Sequence, residues 1–250
     1  RSYNQWVNNQ TLEDYALRFT AKAARRFSLG QIASTALGSI SFLALEAIGA
    51  AITLNYGFYN AFWAIIIVST IIFLLAIPIC FHAAKSGLDI DLLTRGAGFG
   101  YIGSTITSLI YASFTFIFFA LETAIMAAVL KWVFGVPVFI GYVICALIVI
   151  PLVTHGITFI SRFQRATQLI WMALQTIPIA VILVRFPEFI AEWTNFAGIE
   201  NSMAASLSAH QFGAACAVIF ALVAQIGEQV DYLRFMPNKT KANQQHWWLT

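Results

Sequence analysis

Three carboxylates stand inside apolar runs of this 250-residue chain: Glu46 in Leu45-Glu46-Ala47, Glu122 in Leu121-Glu122-Thr123 and Glu228 in Gly227-Glu228-Gln229. A carboxylate in hydrocarbon costs on the order of 2.5 kcal/mol or more, so it normally faces a bundle interior or a water-filled cavity. There it can accept hydrogen bonds from a ligand or hold a proton. Phe118 precedes Glu122 by one helical turn and shares its face. An aromatic plane below a carboxylate suits a flat heterocycle with NH donors, because the ring stacks and the acid accepts. The competing reading is that each glutamate is protonated, or bonded to a neighbouring helix, and merely holds the bundle together. Asp231 and Arg234, close to Glu228, read as an ion pair at the cytoplasmic end with no ligand role.

These residues need elements that can hold them in lipid. The chain is 60% hydrophobic and 10% charged, whereas a soluble domain carries roughly 25% charged residues, so the surface it presents is mostly for hydrocarbon. A bilayer core needs about 20 helical residues. The stretches 32–55, 59–83, 101–134, 137–154, 166–185 and 211–235 meet that length and define six expected spans. The fold class is therefore all-α and polytopic, and β-barrel spans are excluded because short alternating segments are missing. Residues 1–31 form a basic cytoplasmic arm, 32–235 the spans, and 236–250 a cytoplasmic loop with the start of a further helix. With no initiator methionine and an ending in Trp247-Trp248-Leu249-Thr250, the chain is expected to be a fragment of a longer protein.

Twelve of the fourteen Lys and Arg residues fall in the arm, the 2-to-3 and 4-to-5 connections and the tail. Only Lys131 and Arg185 lie on the other side, and the 5-to-6 loop carries Glu188, Glu192 and Glu200. The positive-inside rule then puts the N-terminus in the cytoplasm and the protein in the cell membrane. Span 1 is rich in small residues, including Ser34, Gly38, Ser39 and Ala44, which let helices approach closely. Phe42-Leu43-Ala44-Leu45-Glu46-Ala47-Ile48-Gly49 is faintly like Phe220-Ala221-Leu222-Val223-Ala224-Gln225-Ile226-Gly227. Five spans separate the two segments, so they would be inverted copies, with Gly49 and Gly227 permitting helix breaks of the kind that secondary transporters place at their substrate sites.

Other motifs carry less. Gly98-Phe99-Gly100-Tyr101-Ile102-Gly103 fits G-x-G-x-x-G but opens a membrane span and has no preceding strand, so it is not a dinucleotide site. His82, His155, His210 and His246 lie at or beyond span ends without metal-ligand spacing, and Cys80, Cys145 and Cys216 stand singly in apolar runs. No serine has a nucleophile elbow. The expectation is no enzyme, no metal, no cofactor and no nucleic-acid partner.

The arm Gln10-Thr11-Leu12-Glu13-Asp14-Tyr15-Ala16-Leu17-Arg18 and the segment Val230-Asp231-Tyr232-Leu233-Arg234-Phe235 resemble the nucleobase:cation symporter family of cytosine, purine, allantoin and hydantoin permeases. In that family an E-D-Y/F-S/A-L-R arm precedes span 1, and span 6 ends in a motif like N-I-P-D-F-T-R-Y. The resemblance implies a five-plus-five inverted repeat of the leucine-transporter type, of which this chain holds the N-terminal half. The family's span 3 has a stacking Trp followed four residues later by a Gln, positions that fall on Phe118 and Glu122 here, and its second stacking Trp falls near Phe220. Glu for Gln loses a donor and gains a charge, which suits a ligand with several NH donors, a cation or a coupled proton.

The expected substrate set is Glu46, Phe118, Glu122, Phe220, Gln225 and Glu228. The expected function is sodium- or proton-coupled symport of a small nucleobase-like or amine-bearing heterocycle by alternating access, the partners being this solute and the lipid bilayer. The alternative is the ligand-sensing input module of a sensor histidine kinase, with signalling domains following in the parent protein.

Overall fold

The computed structural model describes residues 20, 25, 27–39, 42–154, 156–199 and 206–250. The motif at 10–18, most of the basic arm, His155 and Glu200 lie outside them. Among the described residues every regular element is helical: α1 (Leu29–Gly38), α2 (Leu43–Tyr56), α3 (Phe58–Ser86), α4 (Ile90–Thr94), α5 (Gly100–Phe134), α6 (Val138–Thr154), α7 (Gly156–Arg185), α8 (Glu188–Thr194), α9 (Ala209–Phe220), α10 (Ile226–Leu233) and α11 (Gln244–Leu249). A π-helical turn at Arg95–Phe99 leads from α4 into α5, and a 3₁₀ turn at Ala221–Gln225 leads from α9 into α10.

Four stretches are long and apolar enough to cross a bilayer: Phe58–Ser86, Ile90–Phe134, Gly156–Arg185 and Ala209–Leu233. Their apolar surfaces are largely uncovered by protein, as at Leu109, Leu169 and Phe73, which is what lipid-facing helices require. The protein is membrane-embedded. The helix Val138–Thr154 is apolar but shorter.

Several expected boundaries shift. Span 5 was expected from 166, yet α7 begins at Gly156 and takes in Arg162 and Arg165. Basic residues mark where lipid ends, and a helix is free to continue past that level. Span 1 was expected over 32–55 with a break at Gly49, whereas α1 ends at Gly38 and α2 runs from Leu43 to Tyr56. Span 6 is divided by its 3₁₀ turn. The glycines of the G-x-G-x-x-G segment serve the backbone: Gly98 at φ +108° and Gly100 at φ +65° make the bend into α5, a conformation costly for residues with a Cβ.

The chain divides into two compact units. Unit 1 comprises Arg1–Phe42, Ile79–Thr167 and Gly227–Thr250, and unit 2 comprises Leu43–Pro78 and Gln168–Ile226. In unit 1, α5 and α6 form a hairpin turned by Gly135 in the left-handed conformation, and Gly141 packs so close to Ala127 that an added Cβ would lie 2.9 Å from its methyl. Small residues thus bring these backbones together where apolar burial alone gives little drive in lipid. A second unit 1 cluster joins Ile32, Ala84, Phe235, Met236 and Trp247, and the Trp247 indole donates to the Pro237 carbonyl at 3.0 Å. In unit 2, Ile52, Ala61, Ala64, Val68, Ala215 and Ile219 form the core.

Candidate functional site

Within unit 1 the middle of α5 presents Tyr111, Thr115, Phe118 and Glu122 at spacings of three and four residues, so all four share one helical face. Helix α10 adds Glu228, Asp231 and Tyr232 by the same rule. The two groups meet at Tyr111, whose hydroxyl donates to Asp231 Oδ2 at 3.3 Å, with Glu228 close enough to act on it electrostatically. The Tyr232 hydroxyl bonds Ser39, just past the end of α1. Gly227 makes the approach of α5 possible: a Cβ there would lie 2.6 Å from Tyr111 Cε2 and 2.8 Å from Cδ2. Gly227 is therefore a contact residue as well as a neighbour of the break, which lies one turn earlier, in Ala221–Gln225.

Phe118 does not stand open for stacking. Its ring lies against Phe42, with centroids 5.3 Å apart and planes 15° apart, and against Phe114 at 4.5 Å, leaving it 7% exposed. Glu122 is half-buried one turn further along.

The remaining expected residues belong to unit 2. Glu46 is exposed on α2, and its carboxylate accepts a hydrogen bond from Gln175 of α7. That contact matches the structural alternative for this glutamate, an acid bonded to a neighbouring helix. Gly49 corrects its expectation. It lies inside the unbroken α2, and the interruption falls between Gly38 and Leu43. A Cβ at Gly49 would meet nothing within 4 Å, so the residue leaves open space beside it. Phe220 closes α9 and Gln225 closes the 3₁₀ turn.

Arg234 faces Asp89 at 3.6 Å and Asp231 at 4.0 Å, so the expected ion pair acquires a second acid from the loop after α3. Asp89 also caps α4 by accepting from the Leu92 amide at 2.8 Å. Arg25 is buried and closes the end of α3: its guanidinium donates to the carbonyls of Lys85 at 3.3 Å and Ser86, to the Thr20 carbonyl at 3.1 Å and to Asn238 Oδ1 at 3.3 Å. These carbonyls have no partner within the helix, and a cation there also meets the negative end of its dipole. Desolvation pulls the Arg25 pKa below its ordinary value.

Sequence reasoning missed Asn60, which is 2% exposed. Its amide donates to the carbonyls of Tyr56 at 2.8 Å and Ser206 at 3.1 Å, and its Oδ1 accepts from the Ser208 amide at 2.9 Å. A lone amide at the start of an apolar run was the available signal. Tyr111 was missed as well, although it stands two turns before Phe118 on the Glu122 face. Among the described residues no group of three or more His, Cys, Asp or Glu side chains is placed to hold a metal ion.

Fold and site together define an all-helical membrane-embedded protein with a half-buried polar cluster in unit 1, centred on Tyr111 and shared by α5 and α10. No family model, curated protein or solved structure matches the chain.

Proposed function

We propose that the chain is the solute-binding membrane portion of a secondary active transporter, a sodium- or proton-coupled symporter of a small nucleobase-like or amine-bearing heterocycle working by alternating access. The observation that carries this reading is the 3₁₀ turn at Ala221–Gln225 inside Ala209–Leu233, a stretch otherwise long and apolar enough to cross the bilayer. A change of hydrogen-bond pattern within lipid is tolerated where protein or cavity water meets the freed backbone groups, and such breaks mark substrate sites in transporters. Glu228, Asp231 and Tyr232 follow the turn directly.

The first span is interrupted as well, between Gly38 and Leu43. Spans 1 and 6 are the pair that a five-helix inverted repeat equates, and both interruptions adjoin the corresponding phenylalanines, Phe42 and Phe220. The resemblance of Val230–Phe235 to nucleobase permeases supports the substrate class, and the distribution of Lys and Arg supports a cytoplasmic N-terminus in the cell membrane. In unit 1 the residues proposed to meet solute are Tyr111, Glu122 and Glu228, with Phe118 offering a stacking face once Phe42 moves aside.

The test is uptake of radiolabelled cytosine, adenine and hydantoin into proteoliposomes under imposed sodium or proton gradients. Saturable uptake driven by one gradient and lost in Glu122→Gln is the expected result. Uptake no faster than in protein-free liposomes would overturn the proposal, and saturable binding without uptake would favour a sensor.

A further inference from the structure

Unit 2 contains a cavity of about 760 Å³ that shares no residue with the cluster around Tyr111. Its α2 wall carries Gly49 and Thr53, and the segment after α7 supplies Phe189, Glu192, Trp193 and Phe196. Gly49 adds no side chain to this space, and a Cβ there would touch nothing within 4 Å.

The opposite wall is fixed in place. The Phe58 amide donates to the Phe196 carbonyl at 2.9 Å, and the Ile199 amide donates to the Leu54 carbonyl at 2.8 Å. Gly57, at φ +77°, lets the Ala197 carbonyl approach so closely that a Cβ would lie 2.6 Å from its oxygen. Trp193 is braced edge-on by Phe58, with centroids 4.8 Å apart.

Three aromatic rings and one carboxylate, with no Lys or Arg among the lining residues, define a chemistry. Aromatic faces attract a cation through the ring quadrupole, and the carboxylate adds a full opposite charge. An anion would be repelled, and an uncharged ligand would gain at most a hydrogen bond from Glu192, without the attraction between full charges. The volume is in the range of small-molecule sites. We infer that this cavity binds an organic cation, an ammonium group on a small apolar body. Under the proposed topology it faces the outside of the cell, but the inference does not depend on transport.

The probe is choline set against its uncharged isostere 3,3-dimethylbutan-1-ol, with the full chain in maltoside micelles and saturation transfer to the methyl signal as readout. Choline should bind, and the neutral isostere should bind roughly tenfold more weakly or not at all. Glu192→Gln should remove most of this difference. Trp193→Ala should weaken choline by roughly 2- to 30-fold, the span of one cation–π contact. Gly49→Leu fills part of the cavity from the α2 side and should weaken choline binding. Nanodiscs of phosphatidylglycerol with and without phosphatidylcholine separate the two sources of the cation, since a lipid headgroup would compete with free choline. Equal binding of the two isosteres, or choline affinity unchanged in Glu192→Gln with the melting temperature preserved, would overturn the inference. A failure of uptake would leave this result untouched, and a failure here would leave the transport proposal standing.

Discussion

Gly227→Ala tests whether the polar cluster is built around a backbone approach. The added methyl would sit 2.6 Å from Tyr111 Cε2, 2.8 Å from Cδ2 and 3.0 Å from Cζ. Carbon atoms prefer about 3.5 to 4.0 Å, so the ring must retreat by about 1 Å. The hydroxyl goes with the ring, and the bond to Asp231, at 3.3 Å, stretches out of range. Overpacking of this kind costs about 1–3 kcal/mol and the lost hydrogen bond about 1 kcal/mol. Replacing glycine inside a helix returns about 1 kcal/mol. The net destabilisation is about 1–3 kcal/mol, which lowers the melting temperature by about 2–12 °C for a chain of this size. Thermal unfolding in maltoside, followed by circular dichroism, measures it. In the Tyr111→Ala background the clash is gone and the same change should be neutral or stabilising. An equal loss in both backgrounds would refute the reasoning, because the cost would then come from α10 itself.

Asn60→Leu should cost about 1–3 kcal/mol, since it leaves the Ser208 amide without its acceptor, and hydrogen exchange read by mass spectrometry should show protection lost around 206–211. Arg25→Ala and Gly87→Ala should each lower the melting temperature and add less than fully in the double variant, because a Cβ at Gly87 occupies the place of the Arg25 guanidinium while the strain of an alanine at φ +71° remains. Arg25→Lys should rescue little, as one ammonium cannot span the acceptors that the guanidinium fork reaches.

The long apolar helices were legible because hydrophobic length is a direct record of lipid depth. Phe58–Ser86 and Gly100–Phe134 lie within a few residues of the expected 59–83 and 101–134. What hydropathy could not carry is hydrogen-bond pattern: Ala221–Gln225 is as apolar as its neighbours, and nothing in Ala-Leu-Val-Ala-Gln announces a 3₁₀ turn. For the same reason Gly49 looked like a break although α2 runs straight through it. Glycine in a membrane helix can mark a bend, a close contact or an empty space, and the structure assigns Gly227 to the second and Gly49 to the third. Phe118 was legible as a face-sharing partner of Glu122. Its burial beneath Phe42 was not, because Phe42 comes from a distant part of the chain.

The three glutamates that stood out in the sequence share a cost, and the way that cost is met separates them. Glu46 is met by Gln175, an amide from a neighbouring helix, a pairing that needs no cavity. Glu228 follows a change of helix type and acts electrostatically on Tyr111, whose hydroxyl donates to Asp231. Asp231 in turn lies 4.0 Å from Arg234, so α10 carries its acids within a network that reaches α5 and the loop after α3. Intramembrane charge locates the residues worth testing, and the element that meets each one, a neighbouring helix for Glu46 and a tyrosine-centred network around Asp231, tells which contact a substitution there would loosen.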